Sequence, residues 1–178
     1  MKIEPFQVEQ WMDRYETTKG VKNIAETCAA SVSVDELVGL CKDKDTPGPL
    51  SLSKKLTYGD ILGSQVLRQR VASLFDRASP AGLTEENIII TSGAIAANFL
   101  LLYTLVGPGD HVICVYPTYQ QLYSVPKSLG AEVSLWKLNE ENAYVPDVAE
   151  LEGLFRENTK VGPIIITPSQ PLFKTPCS

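Results

Sequence analysis

A chain of 178 residues, 44% hydrophobic and 21% charged, has the length of about one domain and the makeup of an ordinary globular protein. Its net charge of -5 is spread along the chain, which argues against non-specific binding to nucleic acid or to anionic membranes. The N-terminus carries Glu4 and Glu9 without an apolar run, the stretch Ile95–Val106 is too short to span a bilayer, and Cys28, Cys41, Cys114 and Cys177 form no CxxC pair, so a reduced, cytoplasmic compartment with neither metal site nor disulfide is expected.

In chain order, Val8, Trp11, Met12 and Tyr15 share one face of a helix, which either docks on its own core or acts as an arm that packs on a second subunit. Ser33-Val34-Asp35-Glu36-Leu37 reads as a capping box opening a short helix, and the stretch from Lys42 to Pro49 as a loop. A helix through Leu67, Val71 and Leu74 ends near Ser79-Pro80-Ala81-Gly82. Asn87–Thr91 is β-branched and apolar, hence a buried strand, and Ala94–Val106 is a helix apolar nearly all round, hence buried on both sides. After the turn Gly107–Asp110 come a strand over His111–Tyr116 and a helix over Thr118–Leu129 that Pro126 must kink or shorten. A strand over Ala131–Leu138, a helix over Pro146–Asn158 with proline in its first turn, and a strand over Val161–Thr167 complete the pattern. Such alternation implies an α/β fold with a largely parallel sheet.

Ligands of open α/β sheets bind beyond the carboxyl ends of the strands, and three clusters fall there: Thr91–Ala94, Tyr116–Tyr119 and Thr167–Gln170. At Ser92-Gly93-Ala94 a tight turn opens a helix whose unsatisfied N–H groups can bind an anion, with small residues that let the backbone approach and a hydroxyl that can donate. The same small residues could instead serve only to pack a helix on a sheet. Tyr119 could cover the face of a flat heteroaromatic ligand, or simply cap the core. The lone His111 opens an apolar strand and reads as structural rather than catalytic.

Taken together, Tyr58-Gly59 with Gly63 and Leu67-Arg68, Thr91-Ser92-Gly93-Ala94, Gly107-Pro108-Gly109-Asp110, Pro117-Thr118-Tyr119 and Thr167-Pro168-Ser169-Gln170-Pro171 resemble, in order and spacing, the first half of a class I/II aminotransferase. The resemblance is densest from Tyr58 to Tyr119. It implies the fold-type-I pyridoxal-phosphate-dependent transferase fold, a three-layer sandwich of which this chain holds a truncated large domain, with an N-terminal arm and helical segment over residues 1–56 and a partial cofactor-binding domain over 57–178. It further implies pyridoxal 5'-phosphate as cofactor. Ser92, Gly93 and Ala94 would cradle its phosphate, Tyr119 would lie against its ring, and Gln170 would donate to its phenolic oxygen. Tyr58 would touch the phosphate of a neighbouring subunit, which requires a homodimer. Arg68 anchors a helix in this reading. The substrates implied are an amino acid and a 2-oxo acid.

The resemblance decays at the last motif. Where the family has Asn-Pro-x-Asn-Pro-x-Gly, this chain has Thr167, Pro168, Ser169, Gln170, Pro171, Leu172 and Phe173. Gln170 keeps the amide one methylene further out, while Phe173 replaces a residue whose turn favours positive φ. The lysine that holds the cofactor and moves the α-proton lies further on in the family, and Lys160 and Lys174 both read as surface charges. The expectation is therefore a truncated chain, not competent alone, from which the catalytic lysine is missing. The arm residues Glu9, Trp11, Met12, Asp13, Tyr15 and Glu16 resemble those of aminotransferases close to capreomycidine synthase, which serve specialised metabolism. Two other readings stand beside amino-group transfer: a non-catalytic binding or dimer-partner module, and a pyridoxal-dependent lyase or cyclase on the same fold.

Overall fold

The computed structural model describes residues 2–24, 28–42, 53, 55–75 and 82–164. In chain order the elements are α1 (Gln7–Tyr15), α2 (Val34–Gly39), α3 (Gln65–Phe75), α4 (Gly93–Leu105), β1 (His111–Tyr116), α5 (Gln121–Ser128), β2 (Glu132–Lys137), α6 (Val148–Leu154) and β3 (Thr159–Ile164). The chain divides into two compact units, one of Met1–Val21 with Thr91–Ser178 and one of Lys22–Ile90. Among the described residues no helix is long and apolar enough to cross a membrane.

In the first unit the three strands form a parallel sheet in the order β2-β1-β3. His111–Tyr116 is the central strand because its apolar run can be buried on both faces. Val112 and Cys114 point to one side, into a cluster with Leu102 and Val106 from α4 and its C-cap and Leu122 and Val125 from α5. Ile113 and Val115 point to the other, where Trp136 is packed by Leu151 and Leu154 of α6. The sheet of this unit thus lies between two helical layers. The register of β1 against β3 slips twice, at Lys160 between the His111 and Val112 pairings and at Gly162-Pro163 between those of Val112 and Cys114, where proline offers no N–H to the ladder.

Two buried polar side chains hold β1 in place. His111, fully buried, bonds Thr159 Oγ1 on β3 through Nδ1 and Ser134 Oγ on β2 through Nε2, each at 2.8 Å. One imidazole therefore ties all three strands, which is the structural role expected for it. Cys114 acts through Pro126. Proline at position 126 cannot donate to the Leu122 carbonyl four residues back, and the Cys114 thiol donates to that carbonyl at 3.0 Å. Hence α5 continues from Gln121 to Ser128 with Pro126 inside it, and burial pushes the Cys114 thiol up to about 12.

The expected strand over Asn87–Thr91 does not form. Glu85–Asn87 is a 3-10 turn, Ile88 is extended, and the Ile90 N–H donates to the Leu62 carbonyl at 2.9 Å instead of joining the sheet. β-branched composition favours extended backbone, but a strand also needs a partner ladder, and none is offered among the described residues. Burial of the Ala94–Val106 helix on both sides is likewise overturned: in α4 only Leu102 is fully buried, while Ile95, Leu100, Leu101, Tyr103 and Leu105 are each about half exposed. One face of α4 is covered by β1 and α5, and no described residue covers the other. The helix expected over Pro146–Asn158 shortens to α6 because the Asp147 carboxylate accepts from the Ala149 N–H at 2.9 Å and caps it one residue after the proline. The expected strand over Val161–Thr167 begins earlier, at Thr159, and its end lies outside the described residues.

In the second unit, Ser33 and Glu36 form the expected reciprocal cap of α2. Arg68 is buried and donates from Nε to the Gly63 carbonyl at 3.0 Å and from Nη1 to the Glu85 carbonyl at 2.6 Å, as an anchoring residue should. Gly63 has φ +95, and a Cβ there would stand 2.6 Å from Ile90 Cβ. Gly63→Ala is expected to destabilise this unit by about 2–4 kcal/mol, from strain plus overpacking, in chemical denaturation.

Burial holds the His111 pKa below its ordinary value of 6.5, with Arg156 pushing the same way and Glu132 opposing. The folded chain therefore resists a proton that the unfolded chain accepts. Stability is fully present above the unfolded value and is lost as the pH falls through it towards the lower folded value. The melting temperature should drop between about pH 7 and pH 5, and His111→Gln, which keeps both hydroxyl partners, should flatten that drop.

Candidate functional site

The turn into α4 is built by local chemistry. The Gly93 N–H donates to the Thr91 carbonyl at 2.9 Å and the Thr91 hydroxyl donates to the Gly93 carbonyl at 3.0 Å, closing a tight loop around Ser92. Gly93 has φ +82, which a side chain would strain, and a Cβ there would meet nothing within 4 Å. The space above the turn is open. Ser92 sits at the N-cap without a capping hydrogen bond, and the first turn carries no acidic residue. Helix geometry leaves the Ala94 and Ile95 N–H groups without intrahelical acceptors, so the exposed end of α4 presents donors and the positive end of its dipole.

The second turn follows β1. The Tyr116–Pro117 peptide bond is cis, and the chain then passes through Thr118 and Tyr119 into α5. Tyr119 is partly exposed. Its hydroxyl donates to Glu9 Oε1 at 2.8 Å, and its ring meets Phe6 edge to face with centroids 5.7 Å apart. Burial, and then the hydrogen bond to and charge of Glu9, push the Tyr119 hydroxyl up to about 12.

The two turns are joined by a side chain that sequence reasoning missed. Gln121, two residues after Tyr119 and almost fully buried, donates to the Ile95 carbonyl in the first turn of α4 at 2.7 Å and accepts from Asn98 at 3.3 Å. Its signal was legible in principle: Asn98 is the polar interruption in an otherwise apolar helix, and a buried amide needs a partner. The arm was also missed as a component of this site. The Gln7 N–H donates to Gln120 Oε1 and Gln120 Nε2 donates to the Pro5 carbonyl, each at 3.1 Å. These bonds seat residues 5–9 on the Tyr119 turn of their own chain, while Val8 and Trp11 stay about half exposed.

Ser92, Gly93, Ala94 and Tyr119 thus belong to one unit, in which Gln121 ties the helix opening at Ser92–Ala94 to the helix that follows Tyr119. The correction to the sequence reading is that the Ser92 turn follows an extended segment and not a sheet strand. Tyr58 belongs to the other unit, where it is fully exposed. Gln170 and the rest of the Thr167–Phe173 motif lie outside the described residues, as does Lys174; Lys160 is an exposed residue of β3.

A parallel sheet between helical layers defines an α/β protein, and in the same unit it carries an open glycine turn and an aromatic ring. The sequence profile of the family described as aminotransferase class I and II matches residues 44–171, and the chain belongs to that family. Membership implies pyridoxal phosphate as the cofactor of the family. The chain is 30% identical over 125 residues to the arginine–pyruvate transaminase of Pseudomonas aeruginosa, covering 66% of this chain and 32% of that protein. It is 31% identical over 103 residues to the capreomycidine synthase of Streptomyces vinaceus, covering 58% and 25%. A PLP-dependent aminotransferase from Streptococcus suis superposes with a TM-score of 0.75 and 41% identity over 90% of this chain and 42% of that one. The chain therefore spans about a quarter to a third of the length of the curated relatives it matches.

Replacing Gln121 by Leu leaves Asn98 without its partner and frees the first turn of α4. The expected loss is about 1–3 kcal/mol in denaturant titration.

Proposed function

We propose that this chain is the cofactor-phosphate-binding part of an aminotransferase that moves an amino group between an amino acid and a 2-oxo acid. The observation that carries this reading is the pairing of the open, glycine-shaped turn at Ser92–Ala94 with the Tyr119 ring through Gln121. The donor set fits pyridoxal phosphate: the Ala94 and Ile95 N–H groups and the Ser92 hydroxyl meet a phosphate dianion, and Tyr119 meets a flat pyridine ring. When bound, that cofactor supplies an electron-poor ring that takes up the electron pair left when the substrate α-proton departs. The part of this chain is to anchor the phosphate, orient the ring and keep the arm across its rim.

On the same reading Gln170 donates to the cofactor's phenolic oxygen, Tyr58 reaches the phosphate site of a second copy, and the protein is a cytoplasmic homodimer. The domain division at residues 56 and 57 and a place in specialised metabolism belong to this proposal too; the likeness to capreomycidine synthase supports the latter. A second reading is a pyridoxal-dependent lyase or cyclase on the same scaffold, because fold does not fix reaction.

Pyridoxine 5'-phosphate titrated into the chain should quench tryptophan fluorescence, and pyridoxine without its phosphate should bind at least about tenfold more weakly, the phosphate carrying charge-assisted bonds. Gly93→Ala should abolish that difference, and Tyr119→Ala should weaken both ligands about threefold to tenfold. Equal binding with and without the phosphate would sink the proposal.

A further inference from the structure

The arm brings a carboxylate to the rim of the candidate site. Glu9 Oε1 is held by the Tyr119 hydroxyl at 2.8 Å, so the charge stands at the edge of whatever stacks on that ring. Among the described residues Glu9 has no ion-pair partner, and its Oε2 carries no protein hydrogen bond. Glu4, the other acid on this stretch of arm, differs: it lines one small cavity with Lys2 and Lys127. The seat of the arm is built by several bonds, since Pro5, Phe6 and Gln7 all engage Tyr119 or Gln120. Burial, and then the hydrogen bond to and charge of Glu9, push the Tyr119 hydroxyl up to about 12, so the phenol stays neutral and donates to Glu9.

We infer that Glu9 is a specificity-determining residue, which selects substrate amino acids with a cationic side chain by offering its free carboxylate oxygen at the rim of the Tyr119 ring. The inference rests on the reading that Tyr119 stacks on the cofactor. An ammonium or guanidinium group extending from a substrate on the ring meets a fixed counter-charge, an apolar side chain meets none, and an acidic one meets repulsion. The carboxylate is near solvent, so the preference is modest and sensitive to salt.

The test needs no turnover. Reduced phosphopyridoxyl conjugates of L-arginine, L-norleucine and L-glutamate carry the cofactor and the substrate side chain in one stable molecule, and their binding to the whole chain is read by fluorescence. The arginine conjugate should bind about fivefold tighter than the norleucine conjugate at low ionic strength, and the glutamate conjugate weakest. Glu9→Gln, whose amide oxygen still accepts from Tyr119 and keeps the arm seated, should level the three. Glu9→Lys should reverse their order. If all three bind wild type equally, or if the arginine preference survives Glu9→Gln, the inference is overturned and the cofactor reading stands. If no conjugate binds better than inorganic phosphate, the cofactor reading fails and this inference with it.

Discussion

The buried amide of Gln121 is the contact on which the candidate site depends. It sits at the start of α5, yet its partners are the Ile95 carbonyl and the Asn98 amide in α4. An amide removed from water costs free energy unless it is bonded, so α5 cannot slide along α4 without leaving these groups unpaired. Because Ser92–Ala94 precedes the one partner and Tyr119 precedes the other, a single buried side chain ties the helix that opens at a glycine turn to the helix that follows an aromatic ring. The arm extends the arrangement outward by bonding to Gln120, the neighbouring residue.

Behind that contact the sheet is fixed by two residues that a composition table would pass over. His111 is the only histidine of the chain, and it joins the hydroxyls of Ser134 and Thr159 across three strands. Cys114 takes the hydrogen-bonding role that Pro126 removes from α5. Both are buried polar groups whose value lies in their having partners, and neither is positioned for chemistry. The same logic separates Arg68 from the site: its guanidinium is consumed by the Gly63 and Glu85 carbonyls.

Much of this was legible along the chain. The apolar run His111–Tyr116 and the small-residue turn at Ser92–Ala94 carry their own physical signals, because a doubly buried strand and a close backbone approach each restrict the residue types allowed. Local signals failed where the outcome depended on a neighbour. Asn87–Thr91 has the composition of a strand but finds no ladder. The helix Ala94–Val106 has the composition of a fully enclosed helix, yet half of it stays open among the described residues. Proline at 146 suggested a helix start one residue before the aspartate that actually caps it. Glu9 was unreadable because its partner lies 110 residues away, and Gln121, 26 residues from the Ile95 carbonyl, left only the indirect signal of Asn98.

By itself, then, the sequence determined the α/β class, the parallel order of its elements, the family and the small-residue turn that opens α4. These follow from periodicity, glycine stereochemistry and motif spacing, all of which act over a few residues. The tertiary structure alone decided that the arm seats on the Tyr119 turn of its own chain, that Gln121 couples this turn to α4, and that a carboxylate stands beside the ring. Those are pairings of single polar atoms between segments far apart in the chain, and only the folded geometry selects which atoms meet.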